Sequence, residues 1–275
     1  MIEFHPIGSG LTALPPLSLY VHLPWCVQKC PYCDFNSHQS SSEGLPEEAY
    51  IQALLQDLEH ELPHIWGRSV ETIFIGGGTP SLFQAASIDK LLAGIRARVR
   101  LLPNAEITME ANPGTFERER FAGFAAAGVN RLSLGVQSFQ PEHLQALGRI
   151  HDDKQAITAI EAACKLFPRF NVDLMYALPK QSIEQAVRDV QTAIDLGAPH
   201  ISAYQLTLEP NTAFGHTPPK NLPDDDALID IEEAVHATLL QAGFNRYETS
   251  AFNRDGLPCR HNVNYWQFGD YKIGR

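Results

Sequence analysis

The chain predicts an α/β fold, a partial barrel of (β/α)6 type in which helices wind a parallel, curved sheet. Three observations carry that expectation. Strand-like and helix-like segments alternate from about residue 17 to the end, each strand is apolar on one face only, and a cysteine loop and a glycine turn directly follow the first two strands.

The first strand reads Leu17 to Leu23, after a flexible lead of residues 1–16 marked by Gly8-Ser-Gly10 and Pro15-Pro16. A polar linker, Ser40 to Gly44, leads into a helix from about Glu47 to Leu62. A strand at Glu71 to Ile75, a helix near Ser87 to Arg100, a strand at Glu106 to Glu110 and a helix from Thr115 to Ala127 follow, the last ended by Gly128. Further strands read at Arg131 to Gln137, Phe170 to Met175 and His200 to Leu206, with helices near Asp153 to Phe167 and Ser182 to Leu196 between them. In the second of these, Ser182 and Gln185 have capping-box spacing, Ile183, Ala186, Val187, Val190 and Ile194 make one stripe, and Gly197 ends it. A last helix, Asp224 to Gln241, sets Leu228, Ile231, Val235 and Leu239 on one face. The barrel is therefore expected over 17–243, and 244–275 read as the start of a C-terminal extension.

Alternation along the strands says which residues face inward. Leu17, Leu19 and Val21 pack under helices and leave Ser18, Tyr20 and His22 opposite; Ile107 and Met109 leave Thr108 and Glu110. Leu132, Leu134 and Val136 leave Ser133, Gly135 and Gln137, and Val172 and Leu174 leave Asn171 and Asp173. Closed barrels normally fill their inside with branched apolar side chains. This one is expected to have a polar interior, which a bound polar ligand would satisfy, or which hydrogen bonds among the groups and water would.

Composition narrows the classes. With 275 residues and 44% apolar content, a sizeable core is available. The net charge of -11, from 21 basic and 32 acidic residues without a basic block, argues against nucleic-acid partners. The start lacks a signal-peptide pattern and no long apolar run appears, so a cytoplasmic location without a transmembrane segment is expected.

The chemistry concentrates in Cys26-x3-Cys30-x2-Cys33, three of five cysteines within eight positions. Three clustered thiolates can hold three irons of a 4Fe-4S cubane and leave the fourth open, since Cys164 and Cys259 lie far downstream. A zinc site completed by His22 or His38, a disulfide pair, and inert core cysteines are the alternatives. The odd count weighs against disulfides. Gly76-Gly-Gly-Thr-Pro80 sits at the same end of the sheet as the cysteine loop and lacks the Gly-Lys-Ser/Thr ending of a phosphate loop.

The three-cysteine pattern with an aromatic, Tyr32, before the last Cys resembles the radical S-adenosylmethionine (SAM) enzymes, and the resemblance runs through the whole chain. It implies a partial TIM-like barrel, a 4Fe-4S cluster on Cys26, Cys30 and Cys33, and SAM chelating the open iron. In that family an electron from the cluster cleaves the sulfonium to a deoxyadenosyl radical, and the Gly-Gly-Thr-Pro turn receives the amino group of SAM. By the same resemblance, Tyr20, Gly77, Gly78, Thr79, Glu110, Gln137, Arg149 and Asp173 stand where the coproporphyrinogen-oxidase-like branch contacts SAM. Tyr20, Glu110, Gln137 and Asp173 are also on the inward faces found by alternation alone. Physically, the carboxylates can accept from amine or hydroxyls, Arg149 can pair a carboxylate, and Tyr32 with Phe35 can cover a ring.

Oxygen-independent coproporphyrinogen oxidases carry a further Cys two residues after the third, where this chain has Phe35. Cys33-Asp-Phe-Asn-Ser-His38 is similar instead to the heme chaperones of the branch, and His261-Asn262-Val-Asn-Tyr265-Trp266 has the H-N-x-x-Y-W pattern that goes with them. The resemblance implies heme as cargo, heme-requiring acceptor proteins as partners, and His261 or Cys259 as candidate iron ligands. The alternative is the oxidase or another radical SAM transformation. Relatives of this kind continue past Phe-Gly-Asp-Tyr into a separate domain, so a missing C-terminal part is expected.

Overall fold

The computed structural model describes residues 14–42, 44–114 and 117–274. Most of the lead expected at 1–16 lies outside them, but its end is engaged: the Pro15 carbonyl accepts from Arg68 at 2.6 Å and the Pro16 carbonyl from the Asp270 amide at 3.0 Å.

In chain order the elements are β1 (Leu17–Leu23), β2 (Trp25–Cys26), β3 (His38–Gln39), α1 (Glu47–Ile65), β4 (Ser69–Gly77), α2 (Ala85–Arg98), β5 (Arg100–Ala111), α3 (Glu117–Ala127) and β6 (Arg131–Gln137). There follow α4 (Pro141–Ala146), α5 (Asp153–Leu166), β7 (Arg169–Tyr176), α6 (Ile183–Asp195), β8 (His200–Gln205), α7 (Ala213–His216) and α8 (Asp225–Gln241). Last come β9 (Asn245–Arg246), β10 (Ala251–Asn253), α9 (Arg260–Trp266) and β11 (Asp270–Gly274). The main sheet runs β11-β1-β4-β5-β6-β7-β8-β10-β9. It is parallel throughout except for β10 and β9, which add antiparallel pairs.

The six strands expected from alternation form the centre of this sheet in sequence order. The sheet continues past residue 243: β10 extends β8, and β11 returns to pair with β1 from Leu17↔Asp270 to Val21↔Gly274. Covering β1 removes a row of unpaired backbone groups from the first edge.

Outward strand residues build the core, where Leu19, Ile73, Met109, Leu134 and Val172 pack under helices. The capping box of α6 forms as expected, with Gln185 N–H donating to Ser182 Oγ and Ser182 N–H to Gln185 Oε1 at 3.0 Å. Its stripe is rotated from the expected one. Ile183 is exposed, while Asp189 is buried, accepting from Ser138 Oγ at 2.6 Å and from the Phe139 amide at 2.9 Å. A carboxylate so satisfied can occupy an inward helical position that apolar periodicity assigns to hydrocarbon.

Candidate functional site

The cysteine loop is a closed loop. Trp25 and Cys26 pair with His38 and Gln39, His38 N–H donates to the Pro24 carbonyl at 2.7 Å, and Ser40 N–H to the Cys26 carbonyl at 2.8 Å. Inside it, Lys29 Nζ donates to the Phe35 and Ser37 carbonyls at 3.0 and 3.3 Å. Cys26 is buried, Cys30 and Cys33 are half-buried, and all three are free thiols; Cys164 is exposed on α5. Burial pushes the Cys33 thiol up, against the opposing pull of hydrogen bonds from Phe35 and Ser37.

Among the described residues no three His, Cys, Asp or Glu side chains converge on a single ion position. His22 is occupied elsewhere: its Nε2–H donates to the Asn36 carbonyl at 2.8 Å and Nδ1 lies 3.3 Å from the Tyr20 hydroxyl. A zinc site needs its donors around one ion, whereas a cubane takes one thiolate per iron. The donor set therefore suits a cluster better than zinc.

The glycine turn after β4 is zipped to this loop. Gly78 N–H donates to the Leu23 carbonyl at 2.8 Å and Thr79 N–H to the Trp25 carbonyl at 2.7 Å. A Cβ on Gly78 would lie 2.6 Å from the Trp25 carbonyl oxygen, and one on Gly77, where φ is +118°, would lie 2.6 Å from the His22 ring. Close approach of two backbones explains these glycines whether or not a ligand is bound.

The inward strand ends complete one side of the site. Glu110 accepts from the Gly77 amide at 3.1 Å; burial first, then the charge of Asp173, push it up to about 7. Asp173 accepts from Asn171 at 2.7 Å and Ser133 at 3.1 Å, and burial raises it in spite of these bonds. Gln137 accepts from the Tyr204 hydroxyl at 2.8 Å and holds φ at 71°, a left-handed backbone for a non-glycine residue, at a register shift between β6 and β7. Such strain persists only where surrounding structure enforces it.

Arg149 is half-buried. It donates to Gly135 O at 2.6 Å, Asn112 Oδ1 at 2.7 Å and Cys30 Sγ at 3.5 Å, and its buried Nε has no acceptor. Asn112 in turn donates to Thr79 at 3.0 Å. This bridge from the glycine turn to the cysteine loop was missed in the sequence, although Asn112 follows Glu110 closely.

All the residues assigned to SAM, with the three cysteines, line one cavity of about 1110 Å³. The unpartnered Arg149 Nε, the carboxyls and the three thiols fit a cluster with a zwitterionic ligand beside it.

Cys259 and His261 line the same cavity but at the amino-terminal end of the strands, away from the cysteine loop. The Cys259 thiol donates to Glu106 Oε1 at 3.4 Å and is pushed up by burial. His261 Nδ1 lies 2.8 Å from the Thr72 hydroxyl, and burial lowers the imidazole to about 4, leaving a neutral ring with Nε2 free of protein partners among the described residues. The rest of the motif fixes α9: Asn262 donates to the Tyr247 hydroxyl at 3.1 Å and Asn264 to Ser18 Oγ at 2.8 Å.

Comparison with known proteins agrees with this architecture. The model of the Radical SAM superfamily matches residues 20–193. Heme chaperone HemW of Escherichia coli is 57% identical over 262 residues, covering 95% of this chain and 69% of the relative. Heme chaperone HemW of Haemophilus influenzae is 56% identical, covering 94% and 68%. Among solved structures, coproporphyrinogen III oxidase HemN of Escherichia coli superposes with a TM-score of 0.80 at 29% identity, over 92% of this chain and 58% of that one. The chain thus spans about two thirds of its curated relatives and under two thirds of the oxidase. On matched residues, fold and site together, the chain belongs to the radical SAM superfamily and, within it, to the HemW heme chaperone family.

Proposed function

We propose that the chain acts as a heme chaperone in the cytoplasm, binding heme for delivery to heme-requiring proteins and carrying a SAM-liganded 4Fe-4S cluster. Cys26, Cys30 and Cys33 would hold the cluster, and Tyr20, Gly77, Gly78, Thr79, Glu110, Gln137, Arg149 and Asp173 would hold SAM. Bound, the cluster supplies an electron and an iron open to SAM. The chain's own residues would orient that ligand: Arg149, at the cavity wall, supplies positive charge for a carboxylate, Glu110 an acceptor to an amine, and Asp173 an acceptor to hydroxyls. Five unpaired cysteines fit a reducing compartment.

The observation that carries the chaperone reading is Phe35, 58% exposed at the cavity mouth where the oxidases carry a further cysteine. For the iron of the cargo, His261 is the better candidate: its imidazole is neutral with Nε2 free, whereas the Cys259 thiol is kept protonated against Glu106. Likeness to the oxidase favours a second reading, decarboxylation of coproporphyrinogen. One experiment separates them. Heme titration should give a saturable Soret shift altered in His261→Ala, and anaerobic assays should yield no protoporphyrinogen; multiple turnovers to protoporphyrinogen would establish the oxidase instead.

A further inference from the structure

The amino-terminal half of the cavity holds a charge that the SAM assignment does not use. Arg131 opens β6, is 3% exposed, and lines the cavity. Among the described residues its guanidinium makes no hydrogen bond or ion pair. Cys259, Glu106 and Asp173 favour its charge from a distance, but the acids give their hydrogen bonds and ion pair to other groups. Glu106 is 2.7 Å from Arg169 and accepts from the Arg260 amide at 2.8 Å and the His261 amide at 3.2 Å. Asp173 is taken by Asn171 and Ser133. Removing a guanidinium from water costs several kcal/mol unless an acceptor replaces the water. Five N–H donors in a planar fork suit a carboxylate in particular.

One wall of the same chamber is aromatic. Tyr20 and Phe74 are 6.1 Å apart between ring centroids, Phe74 and His261 5.2 Å, His261 and Tyr271 6.5 Å, and Tyr271 and Tyr265 5.8 Å. Such a run offers area to a flat ring. The cavity, about 1110 Å³, exceeds the roughly 300–1,000 Å³ of pockets that take one drug-sized ligand, so space remains beside SAM.

We infer that Arg131 is the receptor for a carboxylate carried by a flat ring seated against this wall. The carboxylate has two possible sources, a heme propionate or a small aromatic acid. The first rests on the chaperone reading; the second does not.

The test uses heme, heme dimethyl ester and benzoate on the wild type, Arg131→Gln and Arg131→Lys. For a propionate, the wild type should bind heme about tenfold or more tighter than the ester, as one charge-assisted contact of ~1.5 kcal/mol or more implies. Arg131→Gln should bring heme down to the ester's affinity and Arg131→Lys should restore part of the gap. For a small acid, benzoate should raise the wild-type melting temperature saturably above a chloride control, and Arg131→Gln should abolish the rise. Equal heme and ester affinities in a wild type that benzoate also fails to stabilise would overturn the inference without any variant. Failure to bind heme at all would refute the chaperone reading and leave the benzoate arm to judge Arg131.

Discussion

Replacing Glu110 separates folding from binding. No basic side chain pairs with it among the described residues, and its only polar contact is the Gly77 amide at 3.1 Å. Burial, then Asp173, hold its carboxyl at about 7, against an ordinary 4.5. A carboxyl raised on folding stabilises the fold fully below its ordinary value and loses that contribution as pH rises through its folded value. The gap between 4.5 and about 7, at ~1.4 kcal/mol per pH unit, makes the loss about 3.5 kcal/mol at most. Glu110→Gln keeps an acceptor for Gly77 and removes the charge. Cofactor-free, it should melt up to about 7–14 °C above the wild type at pH 8, at roughly 2–4 °C per kcal/mol, with the difference closing near pH 5. Circular-dichroism melts of both proteins from pH 5 to 8.5 read this directly. SAM binding should move the opposite way, because an amine favours the charged carboxylate: calorimetry should show about tenfold weaker affinity in the variant. Parallel stability curves across the pH range would refute the burial argument, and unchanged SAM affinity would remove Glu110 from the binding set.

Three further outcomes are expected. Alanine at Cys26, Cys30 or Cys33 should take anaerobically reconstituted protein from about four irons per chain to nearly none, while Cys164→Ala keeps them; iron analysis decides. Gly78→Ala should cost about 1–3 kcal/mol in urea unfolding, because its Cβ would meet the Trp25 carbonyl oxygen at 2.6 Å and displace the cysteine loop; an unmoved midpoint would contradict that. Asn264→Ala, which removes the donor to Ser18 and to the Asp270 carbonyl, should cost about 1–3 kcal/mol and speed hydrogen exchange in β11; native exchange rates there would show that β11 is held without it.

Strand alternation made the barrel legible because each central strand has a helix on one side and a cavity on the other. Leu132, Leu134 and Val136 pack outward while Ser133 and Gln137 line the cavity, so the period of two survives in the sequence. Arg131 lies on the same inward face as Ser133 and was readable by that rule; only a start of the pattern at Leu132 hid it. The short elements were not legible. β9 has two residues and β10 three, too few for any period, and β11 carries Asp270, Tyr271 and Lys272, which do not alternate as a half-buried strand does. Asp189 defeated the helical period because its partners, Ser138 and the Phe139 amide, come from a loop some fifty positions away in sequence. Nothing local in a sequence encodes a partner that only folding supplies.

The two ends of the cavity make a last prediction. Arg131 opens β6 and Gln137 closes it, and the six steps between them, at roughly 3.3 Å each, put the strand's ends about 20 Å apart. The cysteine loop follows β1 at the carboxyl end, whereas His261 reaches the cavity from α9, beside Thr72 and Glu106 near the amino ends of their strands' paired segments. If His261 ligates the heme iron, cargo and cluster draw on different residues and do not compete for thiolates. A protein with Cys26, Cys30 and Cys33 all replaced by Ala should then lose its iron–sulfur absorption yet bind heme within about threefold of the wild type, a difference under ~0.7 kcal/mol. Soret titration under anaerobic conditions measures it. A triple variant that no longer shifts the Soret band, while its far-ultraviolet dichroism and melting temperature stay native, would mean that heme sits on the cysteine loop and that His261 serves only to dock α9 on Thr72.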